Sequence, residues 1–594
     1  MICRIALGIA TVFFALAACT FAAGSYQERA DRFLALVNAN FQALSRVNDE
    51  AQWLAVTDVT PAHDAASEVA GKAYAAFTGS PALIDEAKEL LVHRTELNDL
   101  TVRQLDRVLL NAAEGPMTDP DLVAARIAAE TQQASTLNRF VFKLNDQPIT
   151  ANQIDNKLET STDLAERLAV WEASKQSGPA LKPGLVKLRD LRNGVARELG
   201  HADYFALQVA SYGMTTDEMI KLNDDFMRVL RPLYLQLHTW AKYKLAEKYR
   251  QPVPKRIPAH WINNRWAQDW TGLVEAADLD EHFKGRTPEW IVKTAEQFYA
   301  DIGLNPLPPG FWDKSDLYPV PPGDPRKKNA HASCWHIDLQ NDIRALMSVE
   351  PNADWFFTAH HELGHGHYFM CYSRPEVPPL LRIGANPAFH EGFAEVISLA
   401  SSQVPYLQYR GVLPADFKAD ATAFLLNDAL TSSIPFMFWS SGTMAHWEAD
   451  VYAKNLPADQ WNARWWQYVR AFQGVEPPTT RGEEWCDAAT KTHINDAPCY
   501  YFSYAVAFVI KFQLHDYVAR HILHQPPQSC NYAGHPEVGA WFKTILDKGG
   551  TEDWRKLLKD ATGEELSTRA MVEYFKPLQA WLEEQNKGRP IGWE

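Results

Sequence analysis

The stretch HHELGHGHYF, residues 360–369, places four histidines and one glutamate within eight positions. Imidazole and carboxylate groups are the commonest protein ligands of zinc besides thiolates, and a free carboxylate beside them can act as a general base. On a helix, each residue rotates roughly 100° about the axis. His361 and His365 therefore share one face, and Glu362 sits beside the pair. His360 and His367 fall on the opposite side, where they are expected to support the helix from behind. The arrangement is H-E-x-x-H, with His361 and His365 as zinc ligands and Glu362 as base.

A helix must present these residues, and the local sequence supplies one. Asn352 can cap it, Asp354 suits the positive end of its dipole, and Trp355 to Met370 contains no proline. Gly364 and Gly366 each weaken helix propensity by about 1 kcal/mol, so packing must hold this segment or close approach must require them. A catalytic zinc keeps three protein ligands and one open position, which demands a third ligand downstream. GANPAFHEGFAE, residues 384–395, opens with a cap-then-proline start at Asn386 and Pro387. It offers His390, Glu391 and Glu395, and helical geometry alone does not choose among them.

The 594 residues are 46% hydrophobic, ample for a large core, with no repeat, low-complexity tract or Gly/Ser linker. Net charge is −15 and no basic patch stands out, which argues against nucleic acid as a partner. The 20 tryptophans are read as core and cleft packing, with sugar stacking as the alternative. Residues 26–250 carry helical periodicity, as in QERADRFLALVNANFQALSRV and TVRQLDRVLLNAA. Residues 302–326 are proline-rich and read as a connection without helix. Alternation in 329–350 suggests a small antiparallel hairpin just before the H-E-x-x-H helix.

Residues 1–23 read as a secretory leader: Arg4, an apolar run from Ile5 to Ala18, then small residues. LAAC, ending at Cys19, resembles a lipoprotein box that would make Cys19 a lipid tether; ordinary cleavage near Ala22 or Ala23 is the alternative. No later stretch reaches the roughly 20 apolar residues of a membrane span. An exported protein, periplasmic or secreted, is expected. The five remaining cysteines, Cys334, Cys371, Cys486, Cys499 and Cys530, are an odd number, and Cys486 and Cys499 are closest in sequence.

HHELGH, RIGANPAFHE and KTHI…YYFSY…FQLH, with RWAQDW at 265–270 and HASCW at 331–335, resemble in content and order the angiotensin-converting enzyme family, the peptidyl-dipeptidases A. The resemblance spans at least residues 265–515 and looks like a secreted bacterial member. It implies a predominantly α-helical ellipsoid in which residues 24–594 form one catalytic unit, two half-lobes around a deep cleft. N-terminal helices would form a lid. It implies one zinc ion on His361, His365 and Glu391, with Glu362 passing a proton from the attacking water to the leaving amine. Tyr504 and His493 match oxyanion donors, His331 and the Ala332 backbone match groups that hold the substrate main chain, and Phe508 matches a pocket wall. Gln268, Lys491 and Tyr501 match the trio that binds the terminal carboxylate. The implied reaction is release of C-terminal dipeptides from short peptides, by a monomer.

The sequence departs from the family in several places. Glu395 stands where an aspartate usually orients a zinc histidine, one methylene longer. Ala206, Val469 and Ser503 occupy the apparent positions of chloride-binding arginines, so chloride activation should be weak or absent. Ala330 and Ala345 stand where one family disulfide would be, and Ala519 stands where the family partner of Cys530 would be. The segment after His365 is two residues longer, and the loop between His493 and Tyr501 one longer. Rival readings are a carboxypeptidase removing single residues, an endopeptidase of the same zinc class, and a zinc-free sugar binder.

Overall fold

The computed structural model describes residues 25–274, 279–329, 331–418 and 420–594, apart from the side chain at 432. The expected leader at residues 1–23, with Cys19, and Ala330 lie outside the described residues.

The chain is predominantly helical, with three two-stranded sheets among the described residues. The N-terminal part consists of α1 (Tyr26–Thr57), α2 (Pro61–Thr78), α3 (Pro81–Val92) and α4 (Asp99–Ala113). Their starts follow from short polar caps. Ser25 and Glu28 form a reciprocal capping box. Thr60 and Asn98 accept from backbone amides of α2 and α4, and Pro61 and Pro81 stand in first turns, where a missing N–H costs nothing. These helices close a small apolar core of their own around Leu34, Val37, Leu90, Leu105 and Val108, with Leu380 as the contribution from the rest of the chain.

Most of the remainder shares one large core, and Ile337 and Leu346 form a small separate cluster with Trp53. The predicted hairpin is present as β1 (Ser333–His336) and β2 (Ile343–Leu346), antiparallel, with Cys334 opposite Ala345. Asp316 bridges to Leu346 on the far side of β2, so β2 is flanked on both sides. The outer edge of β1 pairs with no strand among the described residues. The proline-rich segment 302–326 departs from its reading: Pro309–Lys314 forms a short helix, because Pro309 sits in the first turn, where a missing N–H costs nothing. A hairpin at Phe142–Leu144 and Gln147–Ile149 also interrupts the N-terminal helices.

Behind the hairpin come α5 (Ala353–Tyr372), α6 (Pro387–Ser401) and α7 (Tyr501–Tyr517). Asn352 accepts from the Trp355 amide at 2.8 Å and Asn386 from the Phe389 amide at 2.9 Å, so both expected caps form. α6 lies between α5 and α7. Glycines set both approaches: a Cβ on Gly364 would lie 3.1 Å from Ala394 Cα, and one on Gly392 would lie 2.8 Å from Ile510 Cγ2. The two residues that weaken helix propensity on α5 are thus close-packing positions; Gly366 likewise faces Cys334 and Leu307.

All five cysteines of the described residues are free, so Cys486 and Cys499 form no bridge. Trp171, Trp270, Trp439, Trp447 and Trp461 are enclosed in the core, where packing accounts for them.

Candidate metal centre and peptide cleft

Helix α5 splits its four histidines by face. His360 is fully buried, with Nδ1 against the Phe356 carbonyl at 2.7 Å and Nε2 against the Tyr406 hydroxyl at 2.8 Å. His367 stacks on Tyr299 at 3.9 Å, and the Tyr299 hydroxyl donates to the His360 carbonyl. Burial pushes both imidazoles down to about 3, so they stay neutral and structural.

The opposite face turns toward α6. One donor atom each from His361, His365 and Glu391 lie within 4.8 Å of one another. His361 Nε2 is 3.6 Å from Glu391 Oε2. Two imidazole nitrogens and one carboxylate oxygen can converge on a single zinc ion and leave a fourth position open. Of the three downstream candidates, Glu391 is the one that reaches this cluster as a ligand. His390 instead shares a hydrogen bond with His365, Nδ1 to Nδ1 at 3.0 Å, which leaves His365 Nε2 for the ion. His390 is steadied in turn by the Tyr372 hydroxyl at 3.2 Å. Glu395 stands 3.7 Å from His361 Nδ1, and the Lys511 ammonium donates to it at 3.0 Å.

The electrostatics of the cluster favour a cation. Burial pushes His361 down, but the carboxylates of Glu391 and Glu395 outweigh it and hold it at about 9. Burial pushes Glu391 up, but the surrounding histidines bring it down to about 2. Glu362 is 7% exposed, burial raises it to about 7, and its Oε2 has no hydrogen-bond partner. An unpartnered carboxylate oxygen beside an open metal position is what a proton-accepting base requires. The residues present fit zinc.

Helix α7 carries the facing groups. Tyr501, Tyr504 and Phe508 gather around Phe436, with ring centroids 5.9, 6.1 and 5.0 Å from it. His493 lies 4.9 Å from the Tyr501 ring and 6.3 Å from that of Tyr504. Burial, with Lys491 and His331 nearby, pushes His493 down to about 4. Burial and Glu391 push Tyr504 up to about 12, so its hydroxyl remains a donor. Lys491 donates to Gln268 Oε1 at 2.9 Å and lies 4.4 Å from the Trp266 ring and 5.3 Å from that of Tyr501. The structure therefore brings Gln268, Lys491 and Tyr501 together. His331 is exposed and Ala332 half-buried, both just ahead of β1.

Two partners were not read from the sequence. Lys511, which holds Glu395, was the harder to see, although Tyr504, Phe508 and Lys511 fall at i, i+4 and i+7 on one helix face. His390 was weighed as a ligand, and its place behind His365 depends on a contact between two helices that spacing does not reveal.

Comparison with known proteins agrees with this geometry. A family model described as angiotensin-converting enzyme, peptidase family M2, matches residues 25–593. An angiotensin-converting enzyme of Theromyzon tessulatum is 29% identical over 572 residues, covering 92% of this chain and 90% of the relative. That of Rattus norvegicus is 31% identical over 464 residues, 74% of this chain and 34% of the relative. That of Mus musculus is 27% identical over 604 residues, 96% of this chain. The chain spans 34% and 44% of the lengths of these rodent relatives. With its His-His-Glu cluster, the chain belongs to the angiotensin-converting enzyme family and is a zinc metallopeptidase.

Proposed function

We propose that this enzyme hydrolyses the penultimate peptide bond of short peptides and releases dipeptides from free C-termini. The observation that carries the reading is the Lys491 ammonium. It is 6% exposed, its hydrogen-bond partner is the neutral Gln268 amide, and no carboxylate pairs with it among the described residues. A buried cation without a counter-ion is costly, and a peptide's terminal carboxylate supplies one. Tyr501 adds a hydroxyl beside it.

His361, His365 and Glu391 would hold the ion. Zinc there supplies a Lewis acid that lowers the pKa of water and polarises the scissile carbonyl. Glu362 takes the proton of the attacking water at Oε2 and returns it to the leaving amine. The Tyr504 hydroxyl and His493 donate to the developing oxyanion, each such donor being worth about 3 kcal/mol. His331 and the Ala332 backbone hold the substrate main chain, and the unpaired edge of β1 extends that contact. Phe508 walls the product pocket. Glu395, fixed by Lys511, orients His361 from behind.

The rest of the reading goes with this one. Helices α1 to α4 act as a lid that admits peptides and excludes folded proteins. Residues 24–594 act as one catalytic unit and as a monomer. The leader-like residues 1–23 support export to the periplasm or beyond, with Cys19 as the tether if the lipoprotein box is used. Ala206, Val469 and Ser503 carry no charge, which supports weak or absent chloride activation; a several-fold rise in activity on adding chloride at fixed ionic strength counts against it.

The test is mass spectrometry of the products from one N-blocked hexapeptide, offered as free acid and as C-terminal amide, with and without a zinc chelator. The reading expects intact dipeptides from the free acid alone, stopped by the chelator. Single residues from the free acid would overturn the anchor assignment. Internal cuts in both peptides would make the enzyme an endopeptidase.

A further inference from the structure

A cavity of about 780 Å³ lies beside the metal centre. One wall is β1 with His390 and Asn386; the other is the N-terminal helix α4. β1 gives the cavity a direction. Its N-terminal approach, His331, lies near His493 and so toward Lys491, while Ser333 to His336 run along the cavity. A peptide whose C-terminus is held at Lys491 therefore sends its upstream residues past β1 into this space. The four residues of β1 span roughly 13 Å, the length of about four extended substrate residues.

Helix α4 presents Arg103 and Arg107 there, four residues apart on one face. Both are half-buried, and neither makes a hydrogen bond or ion pair with any described residue. Neither carboxylate of the same cavity hydrogen-bonds to these arginines, although Asp106 lies close enough to feel the charge of Arg103. Asp106 lies 3.9 Å from Arg94, and Asp49 accepts from the Asn48 amide at 3.0 Å. Burial pushes Asp49 up to about 6 and Arg107 below its ordinary value, each a sign of a desolvated site. The remaining cation, Arg382, is occupied by the backbone carbonyls of Val377, Leu339 and Arg374. Two guanidinium groups with donors to spare on one cavity wall match a carboxylate, which they can grip with two parallel hydrogen bonds.

We propose that Arg103 and Arg107 make this peptidase selective for substrates with an acidic side chain, aspartate or glutamate, upstream of the cleaved bond. The placement rests on the carboxylate-anchor reading above. Arg107, the one whose guanidinium is desolvated by burial, is the principal reader, and Arg103 adds charge from the same helix face.

The experiment uses N-acetylated hexapeptides that differ only in carrying Glu, Gln or Lys at one upstream position. Mass spectrometry locates the cut in each, so positions are counted from the bond actually broken. Failure of the dipeptide reading then shows as a displaced cut, and selectivity is still scored. At one position two to four residues upstream, Glu should be preferred over Gln by about tenfold in kcat/KM, as for a hydrogen bond to a charged group. Arg107→Gln should bring that ratio to within twofold of one, and the pair Arg103→Glu with Arg107→Glu should prefer Lys. In the unmodified enzyme the preference should shrink between low and high salt, a readout that needs no variant. Equal turnover of Glu and Gln peptides at every position, a preference that survives Arg107→Gln, or one unmoved by salt would overturn the proposal.

Discussion

Helix α5 holds its metal-facing histidines from inside the main core, whereas α4 holds Arg103 and Arg107 from a small core that is almost its own. Behind His361 stand Phe356, Ala359 and Leu363, fully enclosed. Behind Arg107 stand Leu105 and Val108, packed on Leu34 and Leu90 of neighbouring N-terminal helices. The seam between the two regions is largely polar. Glu50 pairs with Arg344 at 2.7 Å, Gln42 donates to the Asp338 carbonyl at 2.9 Å, and Asn38 accepts from the Leu380 amide at 3.0 Å. Trp53 against Trp335, ring centroids 5.9 Å apart, is an apolar rivet in that seam. Regions with few shared apolar contacts open locally at a fraction of the global unfolding free energy. The metal-facing histidines thus sit on the wall with the large core, and the proposed selection on the wall with the small one.

The sharpest separation of the two walls comes from Glu362→Gln. Turnover should fall about 10²- to 10⁴-fold, with zinc content unchanged by elemental analysis and amide exchange across α1 to α4 unaltered. Loss of the metal together with activity would show that Glu362 supports the site rather than the reaction. Next is Leu105→Ala, which should destabilise the N-terminal helices by about 2–5 kcal/mol. Hydrogen exchange should quicken through residues 26–113 and stay unchanged in α5; equal quickening in both would deny the separate core. Glu395→Gln should weaken zinc binding by about 10- to 100-fold in a chelator competition, leaving the N-terminal region untouched.

The smallest effect is with pH. Burial brings Lys491 down to about 7, so the anchor is charged below that value and neutral above it. The kcat/KM for a free-acid peptide should therefore decline as pH rises through about 7, by up to about tenfold per unit. Lys491→Arg should flatten that limb, because a guanidinium does not titrate there. The preference for an upstream glutamate, set by arginines, should be unaltered over the same range.

The parts legible in the sequence were those fixed by local rules. Asn352 and Asn386 announce their helices, and the spacing of His361 and His365 fixes their shared face. The third ligand was not decided by the residues alone, since His390, Glu391 and Glu395 lie within two turns; the rotation of α6 against α5 decides it. Lys511 reaches Glu395 from a helix more than a hundred residues later, beyond any local pattern. Arg103 and Arg107 look in sequence like the solvated face of an amphipathic helix, and become notable when the opposite wall is in place. Prolines misled in one place, at Pro309–Lys314, because the same residue that ends most helices can begin one.

The bare backbone at Gly364 and Gly392 carries a consequence for which element the site accepts. With Ala394 pressed against one glycine and Ile510 against the other, α6 has little freedom to shift relative to α5. The span between Glu391 and the two histidines is then dictated by the helices, and side-chain rotamers can adjust it only slightly. First-row divalent ions bind such donors in a fixed order of intrinsic affinity, with copper ahead of zinc, so chemistry alone would not exclude the wrong one. A donor span fixed by the helices would discriminate between ions by size and preferred geometry instead. Widening the helix gap with Gly364→Ala should therefore alter the ranking of metals before it alters the fold.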